Sequence, residues 1–193
     1  TLIFYMELVH DIEIYPNFIS DIFKEVGTNN LYIYILYNGN LNSIKDEINS
    51  VPVSLIDFEF SKTDKLLYLF YSDSTIETFN VETGLVQTLN DRVTTGDPLS
   101  LKVLNANKLM LETRSAPNSF NFYLLDNSGT KLDDLLGQNL ALDESILVCA
   151  DTNTNCNDSV SLFGFIKDAA GLIVNLGRLD VDLLANTLNS LVV

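Results

Sequence analysis

Lys65–Leu89 reads KLLYLFYSDSTIETFNVETGLVQTL, and the fold is decided by how this stretch is parsed. KLLYLFY is a short run of apolar and aromatic residues with one Lys at its edge, too short to suggest a helix first. Ser72-Asp73-Ser74 interrupts it, and side chains of this kind bond to their own backbone in turns. TIETFNV follows, rich in Thr, Val, Ile and Phe. Glu82-Thr83-Gly84 then supplies a glycine where a tight hairpin needs positive φ. LVQTL completes the stretch, which reads as strand, turn, strand, glycine turn, strand.

Two further stretches follow the same plan. Lys108–Leu135 is KLMLETRSAPNSFNFYLLDNSGTKLDDL, with Gly129 in the glycine position. Ser145–Leu176 is SILVCADTNTNCNDSVSLFGFIKDAAGLIVNL, with Gly171 there. The spacing is roughly 40 residues, within the range of solenoids, propellers and arrays. A candidate strand precedes each copy: VSLIDFEF, LSLKVLN and a weaker NLALD. The unit is therefore expected to be a four-stranded meander, repeated at 65–89, 108–135 and 145–176 within one domain spanning 1–193.

The residues DKLLYLFYSD, TIETFNVETG and NKLML…FNFYLLDNSGTKL resemble blades of a β-propeller of the WD40-like or quinoprotein-like kind. The resemblance covers Val53 to Leu176 and is one of topology. The WD dipeptide and the paired Gly-His of true WD40 repeats are absent, and the chain has no tryptophan for quinoprotein-type docking. What it implies is an all-β chain, a β-propeller-like array of four-stranded antiparallel blades, with a β-sandwich as the alternative. The strands themselves agree with face-to-face stacking. LYIYILY and KLLYLFY are apolar at nearly every position, as strands buried on both faces are, whereas a half-solvated antiparallel sheet alternates more cleanly.

The flanks are less regular. TLIFYMELV and DIEIY read as strands, with a turn at Pro16-Asn17. FISDIFKEV reads as a strand in preference to a short helix, while SIKDEIN is polar enough for a loop or a single helical turn. At the C-terminus, LDVDLLANTLNSLVV has apolar residues at helical spacing but also matches the repeat junctions LNANKLML and LALDESILV. The repeat reading is preferred, with the chain stopping just inside a further unit. It implies a piece of a longer propeller, or one closed by joining its two ends. Thr1 in place of an initiating Met points the same way.

Of 193 residues, 47% are hydrophobic and 19% charged, which suits a globular chain with a substantial core. The formal net charge of −15, with 11 scattered Lys and Arg, argues against nucleic-acid binding, which needs clustered cations to neutralise phosphates. No apolar run approaches the ~20 residues of a transmembrane helix, and no signal peptide is visible.

Candidate chemistry is sparse. His10 stands beside Asp11, an arrangement open to general-base work but read as a solvated turn. One His and two Cys fall short of the four ligands of a zinc site, and neither a nucleophile elbow nor a phosphate loop occurs. Cys149 and Cys156 flank ADTNTN and fall on facing positions of the expected hairpin, so they are read as a disulfide, which implies a periplasmic, surface-exposed or secreted protein. Asp151-Thr-Asn153-Thr-Asn155 begins like a calcium loop. Cys156 takes its glycine position and Leu162 its bidentate Glu position, so an ordinary polar loop is expected. No cofactor or metal is implied. The function read from all this is a non-enzymatic protein–protein interaction or assembly module in an extracytoplasmic complex, with protein partners. The alternatives are a carbohydrate-active propeller enzyme using Asp57, Asp73 and Asp143 as acid and base, and a calcium-dependent adhesin using the Asp151 loop.

Overall fold

A computed structural model of the chain describes residues 6–8, 13–15, 18–25, 30–37, 40–47, 55–61, 63–89, 95–149 and 158–192, with backbone alone up to residue 47 and over 143–149. Among the described residues there is no helix. The described residues include seventeen strands in four sheets. Sheet I contains β1 (Met6–Leu8), β2 (Glu13–Tyr15), β3 (Phe18–Glu25), β4 (Asn30–Tyr37) and β5 (Asn40–Glu47). Both β1 and β2 pair with β3, and the order continues to β4 and β5. FISDIFKE is thus a strand, as expected. NLNSIKDE is a strand too, paired along its whole length with β4, which corrects the loop reading of SIKDEIN. The eight-residue partner NLYIYILY supplies backbone groups that a polar sequence can pair with as readily as an apolar one.

The other three sheets are four-stranded antiparallel meanders. Sheet II is β6 (Leu55–Ser61), β7 (Leu66–Tyr71), β8 (Ile76–Asn80) and β9 (Val86–Leu89). Sheet III is β10 (Asp97–Asn105), β11 (Lys108–Ala116), β12 (Ser119–Asp126) and β13 (Lys131–Gln138). Sheet IV is β14 (Leu140–Cys149), β15 (Ser159–Lys167), β16 (Ile173–Asp182) and β17 (Thr187–Val192). The C-terminal stretch is therefore strand, as the repeat reading has it. It closes sheet IV as its fourth strand and does not open a further unit.

Sheets II, III and IV stack in order. Between II and III, Tyr68, Phe70 and Ile76 pack against Leu101, Leu109, Leu111, Tyr123 and Leu125. Between III and IV, Met110, Phe120, Phe122 and Leu124 pack against Val160, Leu162, Leu179 and Val181. Successive strand residues point to opposite faces, so in β11 Leu109 and Leu111 serve one interface and Met110 the other. Two-sided burial is why the apolar residues of sheet III run without alternation. Tyr68 is 1% exposed, and burial, followed by the nearby Asp64 carboxylate, pushes its phenol up to about 12.

Carboxylates complete the stacking. The Leu101 amide donates to Asp57 Oδ2 at 2.8 Å and the Val103 amide to Glu59 Oε2 at 2.7 Å. These bonds run from the strand that opens sheet III to the one that opens sheet II. From sheet IV, the Leu142 amide donates to Glu112 Oε1 at 3.2 Å and the Leu188 amide to Asp133 Oδ2 at 2.8 Å. An unpaired strand edge is a liability in water and in the core alike. Here the side chains of one sheet occupy amides of the next.

Two turns recur in sheets II and IV. The β7–β8 turn bonds the Tyr71 amide to Thr75 O and the Ser74 amide to Tyr71 O, with Ser74 at φ +67°. The β15–β16 turn makes the equivalent bonds, Asp168 amide to Leu172 O and Gly171 amide to Asp168 O, with Gly171 at φ +83°. The β8–β9 turn is capped by Asn80 Oδ1, which accepts from the amides of Glu82 and Thr83, with Gly84 at φ +73°. Its match in the β16–β17 turn is Asp182 Oδ1, accepting from Leu184 and Ala185, with Asn186 at φ +57°. Even the buried residue inside that turn corresponds, Val81 donating to Lys65 O and Leu183 to Asp158 O. Sheet III differs. Its short β11–β12 turn has Asn118 at φ +61°, and its Asp126–Thr130 turn, with Gly129 at φ +87°, joins β12 to β13. Gly171 thus lies between the second and third strands of its sheet, whereas Gly84 and Gly129 lie between the third and fourth.

Candidate functional site

The carboxylates that the sequence offers as acid and base have structural partners where they are described. Asp57 accepts from the Phe58 amide through Oδ1 and from the Leu101 amide through Oδ2. Asp73 Oδ1 accepts from the Thr75 amide at 3.0 Å, inside the β7–β8 turn. Asp143 belongs to the part of β14, residues 143–149, of which only the backbone is described. His10, Asp151–Asn155 and Cys156 lie outside the described residues, and Cys149 is the last residue of β14. Among the described residues, no group of three His, Cys, Asp or Glu is placed to hold a metal ion, and no helix is long and apolar enough to cross a membrane.

Polar side chains elsewhere are also engaged in the scaffold. Glu112 is fully buried and bridges two sheets, accepting from Ser100 Oγ at 3.2 Å as well as from the Leu142 amide. Around Thr95, the Thr113 hydroxyl and the Asn121 amide group both donate to Thr95 O, while the Thr95 amide donates to the Tyr123 phenol oxygen. Asn121 Oδ1 in turn accepts from the Gly137 amide. Buried polar groups satisfied this fully fix one conformation of the strands they join, and here they strap the chain entering β10 to β11–β13. In the Asp126 turn, burial alone would raise the carboxyl, but bonds from the Ser128 hydroxyl and the Thr130 and Ser128 amides outweigh it and hold Asp126 below its ordinary value.

What the strand pattern did not reveal is an exposed apolar run. Leu172, Ile173, Val174 and Leu176 are 65, 59, 58 and 53% exposed, next to Phe165, Leu191 and Val192, also exposed. Beyond Gly177 the same strand is buried at Leu179 and Val181 against sheet III. Nine consecutive residues between Asp168 and Arg178, AAGLIVNLG, carry no charge, and from the sequence they are indistinguishable from a core strand.

No protein-family model matches the sequence, and no curated protein matches it. Solved structures do share its fold. The acylaminoacyl peptidase of Pyrococcus horikoshii superposes with a TM-score of 0.63 at 12% identity, over 97% of this chain and 32% of that one. Hydrazine synthase of Kuenenia stuttgartiensis gives 0.58 at 10% identity, over 94% and 65%. BamB from Moraxella catarrhalis gives 0.56 at 9% identity, over 95% and 51%. The chain therefore spans less than two thirds of each of these. They are β-propeller proteins, and the likeness confirms the array of four-stranded antiparallel sheets. The expectation of a non-enzyme is corrected by the same comparison. An acylaminoacyl peptidase, an enzyme, is among the chains sharing this fold, so the architecture gives no ground for excluding catalysis.

Proposed function

We propose that the chain is a protein-interaction and assembly module of propeller type, one domain from 1 to 193, working in an extracytoplasmic complex. The observation that supports this reading is the exposed run Leu172–Leu176. Contiguous apolar surface on a folded chain is a mark of interaction sites, and the strands on either side of sheet III bury theirs. The capping carboxylates fit the same reading, because Asp57, Glu59, Glu112 and Asp133 hold sheet to sheet. The extracytoplasmic location rests on the Cys149–Cys156 disulfide, which we keep as part of the proposal and which mass spectrometry of unreduced peptides would detect.

The test is cross-linking in extracts of the organism that makes the chain. The reading expects a defined protein adduct that disappears when Ile173 and Leu176 are both changed to Ser. Adducts unchanged by those substitutions, or no adduct, would count against it.

A further inference from the structure

We draw no further inference here: the strongest candidate, the uncharged outer edge of sheet II along β9, where Leu85 and Val86 are exposed, carries nothing because no feature of the structure shows what covers it.

Discussion

Sheets III and IV have the same strand order and the same antiparallel pairing, yet they live in different surroundings. Sheet III lies between two others, and six of the eight residues of β12 are buried, Phe120 to Leu125 without a break. In sheet IV, β15 and the second half of β16 alternate, with Leu162, Leu179 and Val181 turned to sheet III and Ser161, Arg178 and Asp180 turned away. Neighbours set these patterns, since a strand covered on both faces has place only for polar side chains that find buried partners, as Asn121 does, and a strand covered on one face has half its places open to them. The Arg178–Asp180 ion pair at 2.8 Å and the Ser161–Asp180 hydrogen bond belong to that outward face.

The largest expected effect tests this contrast directly. Phe122 of sheet III is fully buried and Phe165 of sheet IV is 40% exposed. Phe122→Ala should cost about 3–5 kcal/mol, the range for deleting a core aromatic ring. Phe165→Ala should cost about 1 kcal/mol or less, as surface substitutions do. Denaturant midpoints of the two variants would check both. Equal costs would mean that another body covers sheet IV in solution, and the contrast between the sheets would then be lost.

How far the sequence foretold this depends on the range of the interaction that fixes each feature. Strands such as LLYLFY and FNFYLLD were legible because β-branched, aromatic and aliphatic residues between turn formers report on themselves. The polar strand NLNSIKDE was not, since its pairing comes from the neighbouring β4. Asp57 was offered as a candidate acid, and neither it nor Glu59 could be read as a bridge between sheets, because their partners Leu101 and Val103 lie 44 residues away. The third repeat was placed one strand out because the same Asp-x-x-Gly turn follows the third strand in sheet III and the second in sheet IV. The Asp126–Gly129 and Asp168–Gly171 turns are locally alike, and a local motif carries no information about which hairpin it closes. AAGLIVNLG misled for a related reason, as exposure is a property of what lies opposite and not of the run itself.

A smaller effect measures the cover that one sheet gives another. Tyr68 of sheet II packs in the interface with sheet III, and its phenol is pushed up to about 12 from an ordinary value of 10.0. The folded chain therefore holds this proton more tightly than the unfolded chain does. Its contribution to stability is complete below pH 10 and is lost as pH rises towards 12. Two units correspond to roughly 2–3 kcal/mol. Denaturation measured from pH 9 to 12 should show that decline, and Tyr68→Phe should flatten it. A phenol ionising near pH 10 in the folded chain would mean that sheet III does not cover sheet II as closely as the packing of Tyr123 and Leu125 requires.

The smallest expected effect asks whether sheets II and IV share, between their second and third strands, the turn that sheet III places between its third and fourth. Ser74 and Gly171 occupy the same place in equivalent turns, at φ +67° and +83°. A left-handed conformation costs a residue with a Cβ about 1 kcal/mol, and glycine escapes that cost. Ser74→Gly should therefore stabilise the chain by somewhat less than about 1 kcal/mol, because the freer unfolded chain offsets part of the gain. Gly171→Ala should destabilise it by about 1 kcal/mol or slightly more. Besides the strained φ, the added Cβ would meet Asn118 Oδ1 at 3.3 Å, where the Asn118 side chain reaches the β15–β16 turn from sheet III. Urea midpoints of the two variants should move in opposite directions. If both fell, Ser74 would be held by something other than the turn geometry it has in common with Gly171. If Gly171→Ala alone were neutral, the sheet IV turn would adopt another conformation in solution, and its equivalence to the sheet II turn would fail there.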